Sequence, residues 1–240
     1  RSSLAASSST VQLGTCSSFT SNDFRSVVHF APLVALKEGF FDNGQVANRN
    51  FNVELRSVDT ACTAATSGEK TLPLLLGQGK SAGRIYSEEV DAAPVVAIMG
   101  CYCSGVSMAV SQLAGSFKVP MVSASSTNPD LSNKASYPYF SRTVPPDSMQ
   151  GAGLGALVAY YGNLAPGGGW TRIVLLYTQT VYAQGVADAF AATDAVENIT
   201  VIKEPLPDLK YGTEEEALTY DYSKMTTIAN RVALESPQPR

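Results

Sequence analysis

Val95-Val96-Ala97-Ile98-Met99-Gly100 is an unbroken apolar run closed by glycine, and its reading decides the class of fold. A strand with one wet face alternates polar and apolar residues. A run that is apolar throughout belongs to a strand buried on both faces, as in a parallel sheet covered by helices. The residues that follow agree with this. Residues 104–117 have helical spacing, with Val106, Val110 and Leu113 on one face, and Pro120 then opens a second run, Met121-Val122-Ser123-Ala124. Strand, helix, strand is the unit that joins parallel strands.

Toward the N-terminus the same alternation continues. Val11-Gln12-Leu13-Gly14 reads as a strand, followed by a loop rich in Cys, Ser and Thr and a helix over residues 23–41. A turn at Asn43-Gly44 leads to a strand over 52–58, and 66–76 reads as a helix that contains Pro73. Residues 1–10 are Ser-rich without apolar periodicity and are expected to form a flexible tail.

Toward the C-terminus a strand over 139–144 runs into Pro145-Pro146-Asp147-Ser148, a turn and helix cap that marks the crossing between two domains. The pattern then restarts. A helix is expected over 149–161, a loop at Pro166-Gly167-Gly168-Gly169, a strand over 172–177, a helix over 183–195 and a strand over 200–203. The acidic stretch Glu214-Glu215-Glu216 precedes a last helix over 222–234. The expected organisation is α/β with a first lobe over 11–144 and an incomplete second lobe over 145–240, because two complete domains of about 150 residues need about 300.

Hydrophobic residues make up 45% and charged residues 16% of the 240, which is enough to build a core. A net charge of −4 without a basic stripe argues against nucleic-acid binding. No run reaches the roughly 20 apolar residues that span a bilayer. The chain opens on Arg1 and ends on Arg240, so it reads as a processed or truncated piece whose signal peptide is already gone.

Candidate chemistry is sparse. Gly151-Ala152-Gly153-Leu154-Gly155 lacks the dinucleotide spacing and follows a proline turn, so close helix packing is expected there. Gly167-Gly168-Gly169 lacks the lysine and hydroxyl of a phosphate loop. Cys101-Tyr102-Cys103 is too tightly spaced for zinc, and the single histidine, His29, lies far off in sequence, so neither a metal nor a catalytic set is expected. No cofactor is implied, and the chain reads as a non-enzyme. The four cysteines, Cys16, Cys62, Cys101 and Cys103, suit either disulfides or free thiols, as compartment decides. Asn198-Ile199-Thr200 is an N-glycosylation acceptor sequence.

The stretch Phe117-Lys118-Val119-Pro120-Met121-Val122-Ser123-Ala124-Ser125-Ser126-Thr127-Asn128-Pro129-Asp130-Leu131-Ser132, continued by Tyr137-Pro138-Tyr139-Phe140-Ser141-Arg142-Thr143-Val144-Pro145-Pro146-Asp147-Ser148, carries a resemblance. With its flanks over 95–190 it resembles the ligand-binding region shared by natriuretic-peptide receptors, metabotropic glutamate receptors and bacterial branched-chain amino-acid binding proteins. The resemblance implies a two-lobed type I periplasmic-binding-protein-like fold outside the cell, on the secretory route. It implies a small ligand, an amino acid or another small anion, whose capture favours a closed arrangement read by the rest of the receptor or by a membrane-linked partner. Homodimerisation through the first lobe is a further analogy.

The implied ligand-binding residues are Ser104, Gly105, Ser125, Ser126 and Thr127 from the first lobe and Tyr182 from the second. Polar loops after parallel strands, at residues 16–21, 100–105 and 125–127, sit where such sheets bind ligands, and the second opens a helix whose amides favour an anion. Gly105 stands where amino-acid binders carry serine, and Ala183 replaces the family's glycine after Tyr182. These departures favour an alternative, a structural or assembly module of the same fold that has lost its ligand. The family's strand order also brings the cysteine-bearing strand ends to one edge, so Cys16 and Cys62 are each expected to join one of Cys101 and Cys103.

Overall fold

The structure is a computed structural model that describes residues 9–17, 51–78, 93–164, 169–206 and 223–235. The helix expected over 23–41, the turn at Asn43-Gly44, His29 and the acidic stretch at 214–216 lie outside the described residues.

β1 (Ser9–Ser17) and β2 (Phe51–Asp59) pair in parallel along their whole length, from Ser9 opposite Phe51 to Ser17 opposite Asp59. β1 therefore starts inside the stretch expected to be tail, because Ser9 and Thr10 find strand partners in Phe51 and Asn52. β3 (Ala97–Gly100), β4 (Met121–Ser123) and β5 (Phe140–Arg142) complete a five-stranded sheet in the order β2-β1-β3-β4-β5, parallel throughout.

α1 (Ala64–Leu76) runs through Pro73 and stops at Gly77, which is left-handed at φ 68°; the amides of Gly77 and Gln78 both return to the Pro73 carbonyl. α2 (Ser104–Ser116) packs on α1. The core joins Leu74 and Leu75 of α1, Val106 and Val110 of α2, and Ile98, Met121 and Phe140 of the sheet. Burying each of these large side chains contributes about 1.5–3 kcal/mol.

β3 corrects one expectation. Ile98 is fully buried, but Ala97 and Met99 are only half-buried, and Val96 is exposed and precedes the strand. Successive side chains of a strand face opposite ways, and only the Ile98 side enters the core.

A separate two-stranded parallel sheet pairs β6 (Arg172–Thr178) with β7 (Thr200–Leu206), Arg172 opposite Thr200. α3 (Asp147–Leu164) packs against α4 (Val181–Ala191), and α5 (Ser223–Glu235) lies on β7. α3 bears the glycine cluster, and two of its members do pack closely. A Cβ on Gly151 would lie 2.5 Å from Phe190 N, and one on Gly155 would lie 2.3 Å from Thr193 Cγ2, whereas Gly153 faces open space. The chain divides into two compact units, Arg1–Thr127 with Leu131–Val144, and Asn128–Asp130 with Pro145–Arg240.

Candidate functional site

In the first unit the parallel pairing sends the carboxyl ends of β1, β2, β3 and β4 to one edge. Gly100 ends β3 opposite Cys16 and takes φ +111°; a Cβ there would lie 2.0 Å from the Cys16 carbonyl oxygen, so the position admits only glycine. The next residue, Cys101, is disulfide-bonded to Cys16, and Cys103 to Cys62, with Cα separations of 4.6 and 5.6 Å. Each of Cys16 and Cys62 thus joins one of the closely spaced pair, and the connectivity is 16 to 101 and 62 to 103.

The disulfides hold the 101–103 loop, and hydroxyls bind it to the loop after β4. The Cys101 carbonyl accepts from Ser123 Oγ at 2.7 Å, Ser126 Oγ at 3.0 Å and Ser107 Oγ at 3.2 Å, and the Ser107 and Ser126 oxygens lie 2.7 Å apart. Each hydroxyl has one hydrogen, so these contacts are shared within one cluster. Ser125 Oγ donates to the Tyr102 carbonyl at 2.9 Å, while Ser123 Oγ accepts from the Ser126 amide at 3.0 Å. Arg142 closes the cluster from β5, donating to the Ser126 carbonyl at 3.2 Å and to the Ser132 hydroxyl. Ser107, Ser123 and Arg142 were not singled out by sequence. The available signal was a run of small hydroxyls, Ser104, Ser107 and Ser111, at helical spacing on a face that turns out to be buried.

Within this frame Ser104 is the buried first residue of α2 and Gly105 is half-buried behind it; Cys103, at the cap position, makes no side-chain cap. Ser125 is half-buried and Ser126 has no exposed surface. Thr127 is buried, and its Oγ1 is shielded with no hydrogen-bond partner among the described residues. An unsatisfied buried hydroxyl costs about 1–3 kcal/mol.

Tyr182 belongs to the second unit. Thr180 caps α4, its hydroxyl accepting from the Ala183 amide at 3.1 Å, so the helix starts two residues before the expected point and Tyr182 stands in its first turn, 48% exposed. Buried Asn128, in the same unit, donates to the Val181 carbonyl and accepts from the Asp130 amide. Among the described residues no His, Cys, Asp and Glu side chains gather as a metal site, and no helix is long and apolar enough to cross a membrane.

The model of the receptor family ligand binding region matches residues 42–233, most of the chain. The chain belongs to this family. Its α/β fold is accordingly of the type I periplasmic-binding-protein-like kind, with a parallel five-stranded sheet flanked by helices and a partial second lobe. Metabotropic glutamate receptor-like protein E of Dictyostelium discoideum is 33% identical over 138 residues, which are 57% of this chain and 16% of that protein. Metabotropic glutamate receptor 6 of Oryctolagus cuniculus is 32% identical over 126 residues, 48% of this chain and 14% of the receptor, and that of Mus musculus gives the same figures. The chain thus spans 14–16% of the length of these relatives.

Proposed function

We propose that this receptor-family chain, with lobes at 11–144 and 145–240, captures a small amino-acid-like molecule between them as part of an extracellular receptor, and performs no catalysis itself. Two disulfides support the extracellular setting, since such bonds persist in oxidising compartments. The observation that carries ligand capture is Thr127, whose buried hydroxyl has no hydrogen-bond partner among the described residues, next to Ser125 and Ser126, whose hydroxyls are both hydrogen-bonded. Ser125 has committed its only hydrogen to Tyr102, so toward a ligand it offers lone pairs, which suit an ammonium group. The N-terminal turn of α2, which opens at Ser104 and Gly105, favours an anion such as a carboxylate. Together they fit a zwitterion. Ser126 shapes the loop from within, and Tyr182 is the contact from the second lobe.

Titration calorimetry of the intact two-lobed protein against amino acids and other small anions tests the reading. Binding is expected, weakened about 5- to 150-fold by Thr127→Val, the equivalent of about 1–3 kcal/mol. Failure of every compound to bind would reject it. A second reading, a structural or assembly module without a ligand, is favoured by Gly105, which has no side chain where amino-acid binders place a serine; that negative result is the outcome it expects.

A further inference from the structure

Asn198-Ile199-Thr200 is the one Asn-X-Ser/Thr sequence, with X other than proline, in the 240 residues. It occupies the turn between a short 3-10 helix (Asp194–Val196) and β7. The turn is firmly held. Val196 is buried, the Ile199 amide donates to its carbonyl at 2.9 Å, and the Thr200 amide donates to Thr171 at 2.9 Å where β7 begins. Asn198 and Thr200 are both exposed. The acceptor amide thus lies on an exposed, ordered turn.

We propose that Asn198 carries an N-linked glycan; the proposal rests on the extracellular reading above. Nδ2 of Asn198 forms a bond to C1 of the first sugar of a lipid-pyrophosphate-linked oligosaccharide. The C1–O bond to the pyrophosphate breaks, the lipid pyrophosphate leaves with that electron pair, and the amide nitrogen loses one proton. The position suits a bulky, solvated group. β6 and β7 both begin at this edge, whereas Tyr182 follows the far, carboxyl end of β6, about 20 Å away along a seven-residue strand. Ligands of open α/β sheets bind at the carboxyl ends. A glycan on Asn198 leaves that end of the second unit clear.

The test is the mass of the full chain secreted from eukaryotic cells, before and after amide-cleaving glycosidase treatment, with peptide mapping of residue 198. A glycan is expected on Asn198, lost in N198Q and T200A and kept in T200S. Secreted protein with both disulfides formed but Asn198 unmodified overturns this inference alone, as does a glycan that survives N198Q. Four free thiols would overturn the extracellular reading together with it.

Discussion

The side-chain amide of Asn128 donates to the backbone carbonyl of Val181 across 2.9 Å, joining residues 53 positions apart at the start of α4. Gly185, one turn further along, makes room: a Cβ there would lie 2.6 Å from Asn128 Nδ2. Asn128→Ala, which removes a buried amide and its bonds to Val181 and Asp130, is expected to cost about 1–3 kcal/mol in urea unfolding. Gly185→Ala forces the same amide away despite the better helix propensity of alanine, worth about 1 kcal/mol. The double variant should be more stable than the sum of the two losses, since alanine at 128 removes the clash. Strict additivity would contradict the contact.

The two disulfides differ in access. Cys16 and Cys101 are buried, whereas Cys62 and Cys103 are half-buried. Limited reductant followed by alkylation and peptide mapping should therefore label Cys62 and Cys103 first. Replacing Cys16 and Cys101 together by serine is expected to cost about 2–5 kcal/mol, since their bond closes a long loop with a sequence separation of 85.

Thr127 separates a binding role from a structural one. Valine keeps the shape but removes the unsatisfied hydroxyl, so Thr127→Val should leave stability unchanged or raise it by up to about 1–2 kcal/mol in thermal or urea unfolding. A loss of stability would mean that the hydroxyl is satisfied within the folded chain.

Lys203 donates to Asp188 Oδ1 at 2.5 Å, and this hydrogen bond raises the lysine above its ordinary range. A raised folded pKa stabilises the fold below the unfolded value of 10.5, and that contribution fades as pH climbs through the folded value. The pair is solvent-exposed, so Lys203→Met should cost only about 0.2–1 kcal/mol at neutral pH. The difference from the parent protein should shrink in high salt and at strongly alkaline pH in parallel unfolding curves.

The glycines of α3 predict opposite signs. Gly155→Val drives a side chain into Thr193 and should destabilise by about 1–3 kcal/mol. Gly153→Ala meets nothing within 4 Å and replaces a poor helix former, so it should stabilise by up to about 1 kcal/mol, read as a rise in melting temperature.

Local pattern was enough for the α/β class: the run ending at Gly100, the helical spacing of Val106 and Val110, and the run from Met121 are signals among near neighbours, set by side-chain periodicity. The stretch 117–148 likewise carried the family. Local pattern misplaced the start of α4, where the Thr180 cap outweighed the apolar spacing, and the extent of burial on β3, where the two faces of one strand meet different surroundings. Which cysteine joins which, why Gly185 is a glycine, and which hydroxyls are spent inside the protein were decided only by the tertiary structure. Ser125, Ser126 and Thr127 are adjacent small hydroxyl residues along the chain, yet the first donates to Tyr102, the second is locked against Cys101 and Ser107, and the hydroxyl of the third has no partner among the described residues. A hydrogen bond depends on what strand order brings opposite, from residues about twenty to more than fifty positions away, and spacing along the chain carries no record of that.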